Sequence, residues 1–402
     1  MRDDVLGDED LLTEILLRLL VKDALRCKCV CKKWKSLISD PQFCYRHNLR
    51  LCRKTNPNTN TNPCLYPSGM LFQESVNLLR NKKGHVVPFT NNSNNRFIHL
   101  NAHTNFEGTL NYHILQSCNG LLLWDSTPIP WPSRPYSAEA NKILQRCYFF
   151  YVSNPSTGHC VRIDQFGYPF RPPFSSVFLV FEPWKSPHYK VIFFEIILKR
   201  KLKMCVYSSE TGSWSKLDVL SHPPPTLFCF PKPAVYCNGA IHWFELGDNF
   251  VISVYFDIDQ LCFKNIPVLP IPAAVMISQN QMQVMHFGES GGILYLITKK
   301  SYKYDIWELK EDYSRWILKY NVDPTKNNLV RNSLIHVAPL RVVCQPPNED
   351  GEEESVFVIL IVEQQKLVSY NLKDHSAKIL HQEDRFSPPH LKEQYFETLA
   401  SI

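Results

Sequence analysis

Cys27, Cys29 and Cys31 stand at alternate positions of a basic stretch, with Cys44 and His47 a short way on. Thiolates and imidazoles are the ligands of structural zinc, and such a site closes only when four of them converge. On a continuous helix Cys27 and Cys31 share a face while Cys29 points roughly 200° away. Only a fold-back could then recruit Cys44 and His47, so these residues read as helix packing and no metal is expected. His242, beside Trp243 in an apolar strand-like run, reads as a satisfied core histidine rather than a base. The acidic run Glu349, Asp350, Glu352, Glu353 and Glu354 lacks the alternating oxygen ligands and closing glutamate of a calcium loop and reads as a solvated loop. Asn91-Asn92-Ser93 is a formal glycosylation sequon, of consequence only in a secreted chain. The 14 histidines form no HExxH pair, and no GxSxG elbow, GxGxxG turn or GK[ST] phosphate loop occurs. No cofactor and no catalytic centre is expected.

The elements that carry these residues fall into two kinds. Asp8, Glu9 and Asp10 put carboxylates where a helix start favours negative charge, and the helix that follows carries Leu11, Leu12, Ile15, Leu16, Leu17, Leu19 and Leu20. These positions wrap beyond the single stripe that a surface helix needs to reach its own core. A second start lies at Lys22 and Asp23, and Val30, Trp34, Leu37 and Ile38 follow at helical spacing until Pro41 forbids continuation. Each large apolar side chain taken out of water contributes roughly 1.5–3 kcal/mol, so an apolar side left over calls for a protein partner.

With 402 residues, 44% of them apolar, the chain can hold a small module and one large domain. The opening MRDDVLGDED is no signal peptide. The longest apolar run, 356–362, falls far short of the ~20 residues that cross a bilayer. Fourteen scattered cysteines read as buried free thiols of a reducing compartment, so the protein is expected in the cytoplasm, the nucleus or both, without a membrane partner. A net charge of +6 is mild. The run Lys199-Arg200-Lys201 with Lys203 reads as a solvated hairpin tip, and nucleic acid is not expected as a partner.

After Leu51 comes the polar tract TNPNTNTNP, a linker. From about Ser68 short apolar and aromatic runs alternate with turn residues, an all-β signature. One recurring element is a glycine turn that opens a strand: Asn119-Gly120, Asn238-Gly239 and Gly291-Gly292, with the positive φ values of a type I′ hairpin. The other is a strand, a short polar turn and a strand, at Val152 to Val161, Val206 to Trp214, Tyr255 to Phe263, Ile306 to Trp316 and Tyr370 to Ile379. A spacing of about 50 residues between most of them is that of kelch-type propeller blades. Proline-bearing loops at 127–135, 168–174 and 223–225 are candidates for target contact.

Two stretches resemble known families. Leu6, Asp10-Leu11-Leu12, Glu14-Ile15-Leu16, Arg18-Leu19, Leu25-Arg26-Cys27, Val30-Cys31-Lys32, Trp34 and Leu37 to Pro41 with Phe43 resemble the F-box, in order and without gaps over some forty residues. Gly7 and Leu20 stand where that family commonly has proline, and Gly7 loosens the entry to the first helix. Ser117 to Leu122, Asn154 to Gly158, Val206 to Trp214, Asn238 to Trp243 and Ile306 to Leu309 resemble the F-box-associated domain that follows the F-box in a large plant family.

The resemblance implies a three-helix unit that binds the Skp adaptor of cullin–RING ubiquitin ligases through Leu6, Leu11, Leu12, Ile15, Leu16, Leu19, Leu20, Val30, Cys31, Trp34 and Ile38. It also implies a β domain that binds the protein to be ubiquitinated, with Trp131, Phe170 and Trp184 as candidate contacts. The expected architecture is an α+β multidomain chain: an F-box helical module over 1–50, a linker over 51–67, an all-β propeller-like domain over 68–385 and a C-terminal tail over 386–402. The expected function is a non-catalytic substrate-recognition subunit of an SCF-type ligase. The alternatives are a propeller-type enzyme, which needs convergent carboxylates or metal ligands in the channel, and a glycan-binding module, which needs Trp131 and Trp184 as exposed stacking platforms.

Overall fold

The computed structural model describes residues 9–52, 63–73, 84–89, 96–98, 110–128, 149–164, 175–197, 201–217, 219, 223–224, 234–246, 251–270, 283–300, 303–323, 326, 337–345, 355–362, 366–382 and 391–402. Four helices open it: α1 (Glu9–Leu17), α2 (Val21–Cys27), α3 (Lys32–Ser39) and α4 (Pro41–Leu51). The helical stretch expected from Lys22 to Ile38 is divided into α2 and α3, and a further helix, α4, follows Pro41. Pro41 does end α3, but proline also fits the first turn of a helix, where its missing N–H costs nothing. Asp40 caps the new start, its Oδ1 accepting from the N–H of Gln42 at 2.8 Å and of Phe43 at 3.1 Å. The expected helix over Val30 to Ile38 begins later, because Val30 lies in the turn after α2 and Cys31 is the N-cap of α3, its Sγ receiving Trp34 N–H at 3.5 Å. Cys27 ends α2 while Cys29 and Cys31 lie outside any helix, so the face-sharing expected of Cys27 and Cys31 does not arise.

The remaining described elements are strands: β1 (Gly69–Gln73), β2 (Gly84–Pro88), β3 (Arg96–Ile98), β4 (Leu110–Cys118), β5 (Leu121–Pro128), β6 (Phe150–Asn154), β7 (His159–Ile163), β8 (Ser175–Val180), β9 (Lys190–Ile197), β10 (Lys201–Ser208), β11 (Ser213–Leu217), β12 (Ala234–Cys237), β13 (Ala240–Leu246), β14 (Val251–Asp257), β15 (Cys262–Asn265), β16 (Gln283–Ser290), β17 (Ile293–Lys300), β18 (Lys303–Leu309), β19 (Trp316–Val322), β20 (Val337–Gln345), β21 (Ser355–Val362), β22 (Lys366–Asn371), β23 (Ala377–Gln382) and β24 (Leu391–Tyr395). They form six four-stranded antiparallel sheets, β4–β7, β8–β11, β12–β15, β16–β19, β20–β23 and β24 with β1–β3. This is a six-bladed propeller. The strands β4, β8, β12, β16, β20 and β24 approach one another around the axis.

The last blade corrects an expected boundary. The stretch expected as a C-terminal tail contains a blade strand: β24 pairs antiparallel with β1, Leu71 opposite Glu393, and so joins the two ends of the domain. A propeller closed in this way removes the exposed edge that an open ring would leave.

The glycine turns do more than reverse the chain. Asn119 and Gly120 have φ of 45° and 94°, Asn238 and Gly239 of 48° and 80°, and Gly291 and Gly292 of 62° and 79°, the two positive values of a type I′ turn. Each turn also fastens its blade to the next. Cys118 Sγ and Asn119 Nδ2 both donate to Phe181 O, at 3.6 and 2.7 Å. Cys237 Sγ and Asn238 Nδ2 both donate to Gly292 O, at 3.4 and 3.0 Å. In the third turn Ser290 Oγ accepts from Cys344 N–H at 2.9 Å.

Aromatic wedges fill the spaces between blades. Trp243, fully buried, meets Phe178 edge-on with ring centroids 5.6 Å apart, an arrangement worth about 0.5–1.5 kcal/mol beyond area burial. His242 is the satisfied core histidine expected of it. Its Nδ1 lies 3.2 Å from Val235 O and its Nε2 2.7 Å from Tyr313 Oη, and its ring stacks on those of Tyr255 and Tyr313, which also touch each other. Nδ1 therefore carries the proton and Nε2 accepts from the tyrosine, and burial pulls the imidazole down to about 4.

Candidate functional site

Two places combine accessibility with specific chemistry: the outer face of the helical module and one end of the propeller channel.

In α1 the apolar residues split by turn position. Leu12, Leu16 and Leu17 are sealed with Val21, Ala24, Ile38, Phe43 and Cys44, whereas Leu11 and Ile15, one turn apart on another face, are 43% and 44% exposed. Leu20 at the N-cap of α2 and Val30 in the following turn are 69% and 62% exposed. The residues expected to meet the adaptor thus fall into three groups. Leu11, Ile15, Leu20, Val30 and Cys31 face out; Leu19 and Trp34 are half-buried against the helical core; Leu12, Leu16 and Ile38 are core and reach no outside surface. The correction has a simple cause. Hydrophobic spacing reports that a helix is apolar all round without saying which side its own neighbours take. Leu6 lies outside the described residues.

The side that is covered is covered by the chain's own last segment. Leu399, 2% exposed, completes the helical core. Asn48 Oδ1 of α4 accepts from Thr398 Oγ1 at 2.7 Å and from Leu399 N–H at 3.2 Å. Asn154 Nδ2 at the end of β6 donates to Thr398 O and Ala400 O at 3.1 and 2.8 Å. Tyr45 Oη adds a contact to Trp184 O at 3.4 Å. A Cβ on Gly120 would collide with Thr398 Cγ2, so this turn needs glycine for room as well as for φ.

Trp184 was expected among target contacts. It sits half-buried at this junction with its Nε1 buried, which is no open stacking platform. Trp131 and Phe170 lie outside the described residues, as do the acidic run at 349–354, the sequon at 91–93 and most of the proline-bearing loops.

The channel holds a cavity of about 410 Å³ at the end that carries the glycine turns and Trp184. Ser117, Tyr236 and Glu289, the residues just before Cys118, Cys237 and Ser290, all line it, together with Arg341 and Glu393. Arg341 pairs with Glu393 at 3.3 Å. Glu289 Oε1 accepts Gly292 N–H at 2.8 Å, yet burial pushes its carboxyl up to about 7 against the pull of that N–H and of Arg341. Burial also raises Glu393, and with Arg341 it holds His286 well below its ordinary range. None of these five lining residues was expected from the sequence to serve in binding. For Ser117, Tyr236 and Glu289 the signal was there in the repeats, at the position preceding each turn motif; Arg341 and Glu393 carry no such mark.

Residues 83–399 match the family described as F-box protein At3g26010-like, beta-propeller, and residues 8–46 match the F-box domain. The chain belongs to this F-box β-propeller family. F-box protein At5g07610 of Arabidopsis thaliana is 28% identical over 331 residues, covering 78% of this chain and 70% of that one. F-box/kelch-repeat protein At3g23880 of the same plant is 23% identical over 309 residues, with 75% of each chain covered. Among solved structures, a Mycobacterium tuberculosis puromycin-hydrolyzing peptidase aligns with 68% of this chain and 39% of its own at a TM-score of 0.37 and 11% identity, too distant to carry an argument. The outward leucines therefore belong to an F-box, and the channel cavity to the propeller that accompanies it. Among the described residues no helix is long and apolar enough to cross a membrane.

Proposed function

We propose that this F-box protein is the substrate receptor of an SCF-type ubiquitin ligase. The F-box docks on a Skp-family adaptor, which brings the cullin and RING subunits, and the propeller holds the protein to be ubiquitinated, in the cytoplasm or the nucleus. Its contribution is proximity rather than chemistry: tethering raises the effective concentration of the target near a ubiquitin-charged enzyme. The observation that carries this reading is the division of α1, with Leu12 and Leu16 sealed and Leu11 and Ile15 facing out.

Two such side chains, desolvated in an interface at roughly 1.5–3 kcal/mol each, account for about a hundredfold or more in affinity. The test is capture of the full chain by purified Skp adaptor. Wild-type protein is expected to bind, and Leu11→Asp combined with Ile15→Asp to lose capture while keeping its helical circular dichroism and melting temperature. Failure of the wild type, or equal capture of the variant, would overturn the reading.

A further inference from the structure

The net charge of +6 is not spread evenly over the 402 residues. Residues 22–36 hold Lys22, Arg26, Lys28, Lys32, Lys33 and Lys35 against one acid, Asp23, so this short stretch carries almost all of it. The six cations run along α2, the turn after it and the start of α3, and all of them reach solvent. Among the described residues Arg26 pairs with Asp23 at 3.1 Å and Lys33 lies 3.9 Å from Glu9, whereas Lys22, Lys28, Lys32 and Lys35 have no carboxylate within 4 Å. Elsewhere in the helical module the charges answer one another, Arg46 and Arg50 both reaching Glu14.

We infer that this basic strip is the electrostatic part of the docking surface and fits an acidic rim on the Skp-family adaptor; this rests on the reading of the helical module as the adaptor-binding half. The apolar residues among the cations decide the class of partner. Leu20, two residues before Lys22, and Val30, between Lys28 and Lys32, are the two most exposed large apolar side chains among the described residues. A nucleic-acid backbone would take the charge and leave both of them in water. An anionic bilayer takes up a helix with one continuous apolar face. Here α2 and α3 turn theirs inward, with Val21, Ala24 and Ile38 sealed in the module core, while Leu20 stands at a cap and Val30 in a turn. A protein surface with carboxylates around an apolar recess satisfies both sets. Charges at the rim of an interface act on the rate of encounter more than on the lifetime of the complex, and salt screens them. The strip therefore speeds docking, and the outward leucine and isoleucine of α1 hold what has docked.

The experiment follows binding of purified Skp adaptor to the full-length protein by stopped-flow fluorescence, from about 0.05 to about 0.5 M sodium chloride. The association rate constant is expected to fall about tenfold or more over that range, with the dissociation rate constant changing far less. Lys28→Gln combined with Lys32→Gln and Lys35→Gln is expected to associate about tenfold more slowly at the low salt and to converge on the wild type at the high salt, with unchanged helical circular dichroism. The matching triple substitution to arginine is expected to keep the wild-type rate. Association indifferent to salt, or a glutamine variant as fast as the wild type at low salt, would overturn the inference. So would adaptor kinetics shared by wild type and glutamine variant while only the wild type binds phosphatidylserine vesicles or a short single-stranded RNA at physiological salt. If the adaptor binds with a salt-independent rate, this inference alone falls; if it does not bind the wild type at any salt, the ligase reading falls with it.

Discussion

In α1, Leu11 and Ile15 remain nearly half exposed while Leu12 and Leu16 are sealed; in β13, every residue from Ala240 to Phe244 is buried. The contrast follows from how each region can be enclosed. A propeller blade has a neighbour on either side, so both faces of its sheet find apolar cover within the ring. Four short helices have too little surface to wrap one another completely. Leu399 closes one side of them, and the other is left facing solvent. Exposed apolar area of this kind supports the docking face proposed above, whereas the propeller lines its channel with polar groups.

The largest expected effects lie on the two sides of that helical unit. Leu16→Ala and Leu399→Ala each remove a buried side chain from one core, and each is expected to cost about 2–5 kcal/mol of the stability of the helical module. Leu11→Ala, one turn from Ile15 on the outer face, is expected to stay within about 0.5 kcal/mol. Urea unfolding followed by far-ultraviolet circular dichroism compares them. A Leu11→Ala cost equal to that of Leu16→Ala would show that the outer face is packed in solution and break the contrast.

How much of this was legible beforehand follows the same divide. The five polar hairpins at Val152 to Val161, Val206 to Trp214, Tyr255 to Phe263, Ile306 to Trp316 and Tyr370 to Ile379 are the β6–β7, β10–β11, β14–β15, β18–β19 and β22–β23 turns. They were readable because turn chemistry is local. So were the three glycine turns. The closing strand β24 was not, since its partner β1 lies more than 300 residues away and no local pattern announces such a pairing. The sides of α1 were not legible either, because Leu399 comes from the far end of the chain. For the channel, Glu289 and Tyr236 sit in visible repeat positions, but only the ring brings them to one cavity.

Acid acts on buried titratable groups in both regions: burial lowers His47 in the helical module, where the half-exposed ion pair of Glu14 with Arg46 is of little worth, but the propeller holds two groups that pull in opposite directions. His242 falls from an ordinary 6.5 to about 4 in the folded state. The unfolded chain therefore takes up a proton that the folded chain refuses. Its contribution is fully present above pH 6.5 and drains as pH falls toward 4, by about 3 kcal/mol in all. Glu289 runs the other way: raised from 4.5 to about 7, its folded carboxyl binds the proton first and gains stability as pH falls through that window. Between pH 7.5 and 5 the two contributions oppose and nearly cancel, so the urea midpoint of the propeller transition should decline on acidification more steeply in Glu289→Gln than in the wild type, and less steeply or not at all in His242→Gln. A decline unchanged by either variant would place the acid sensitivity outside the channel and its neighbouring blades.

The smallest effect expected tests whether blade closure is as self-sufficient as the contrast requires. Asn119→Gly and Asn238→Gly keep the positive φ of the turn, since Gly291-Gly292 shows the same geometry without asparagine, and each removes one donor to the next blade. A neutral hydrogen bond of this kind is worth about 0.5–1.5 kcal/mol, and the added glycine loosens the unfolded chain slightly. Asn119 is partly buried and Asn238 exposed, so water replaces the second bond more readily and its loss should cost less. The two variants are therefore expected to lower the propeller's urea midpoint in that order, with adaptor capture unchanged. If Asn119→Gly also weakened adaptor capture, the turn would be setting the position of Thr398 beneath the F-box, and the two regions would be coupled through the tail rather than merely joined by it.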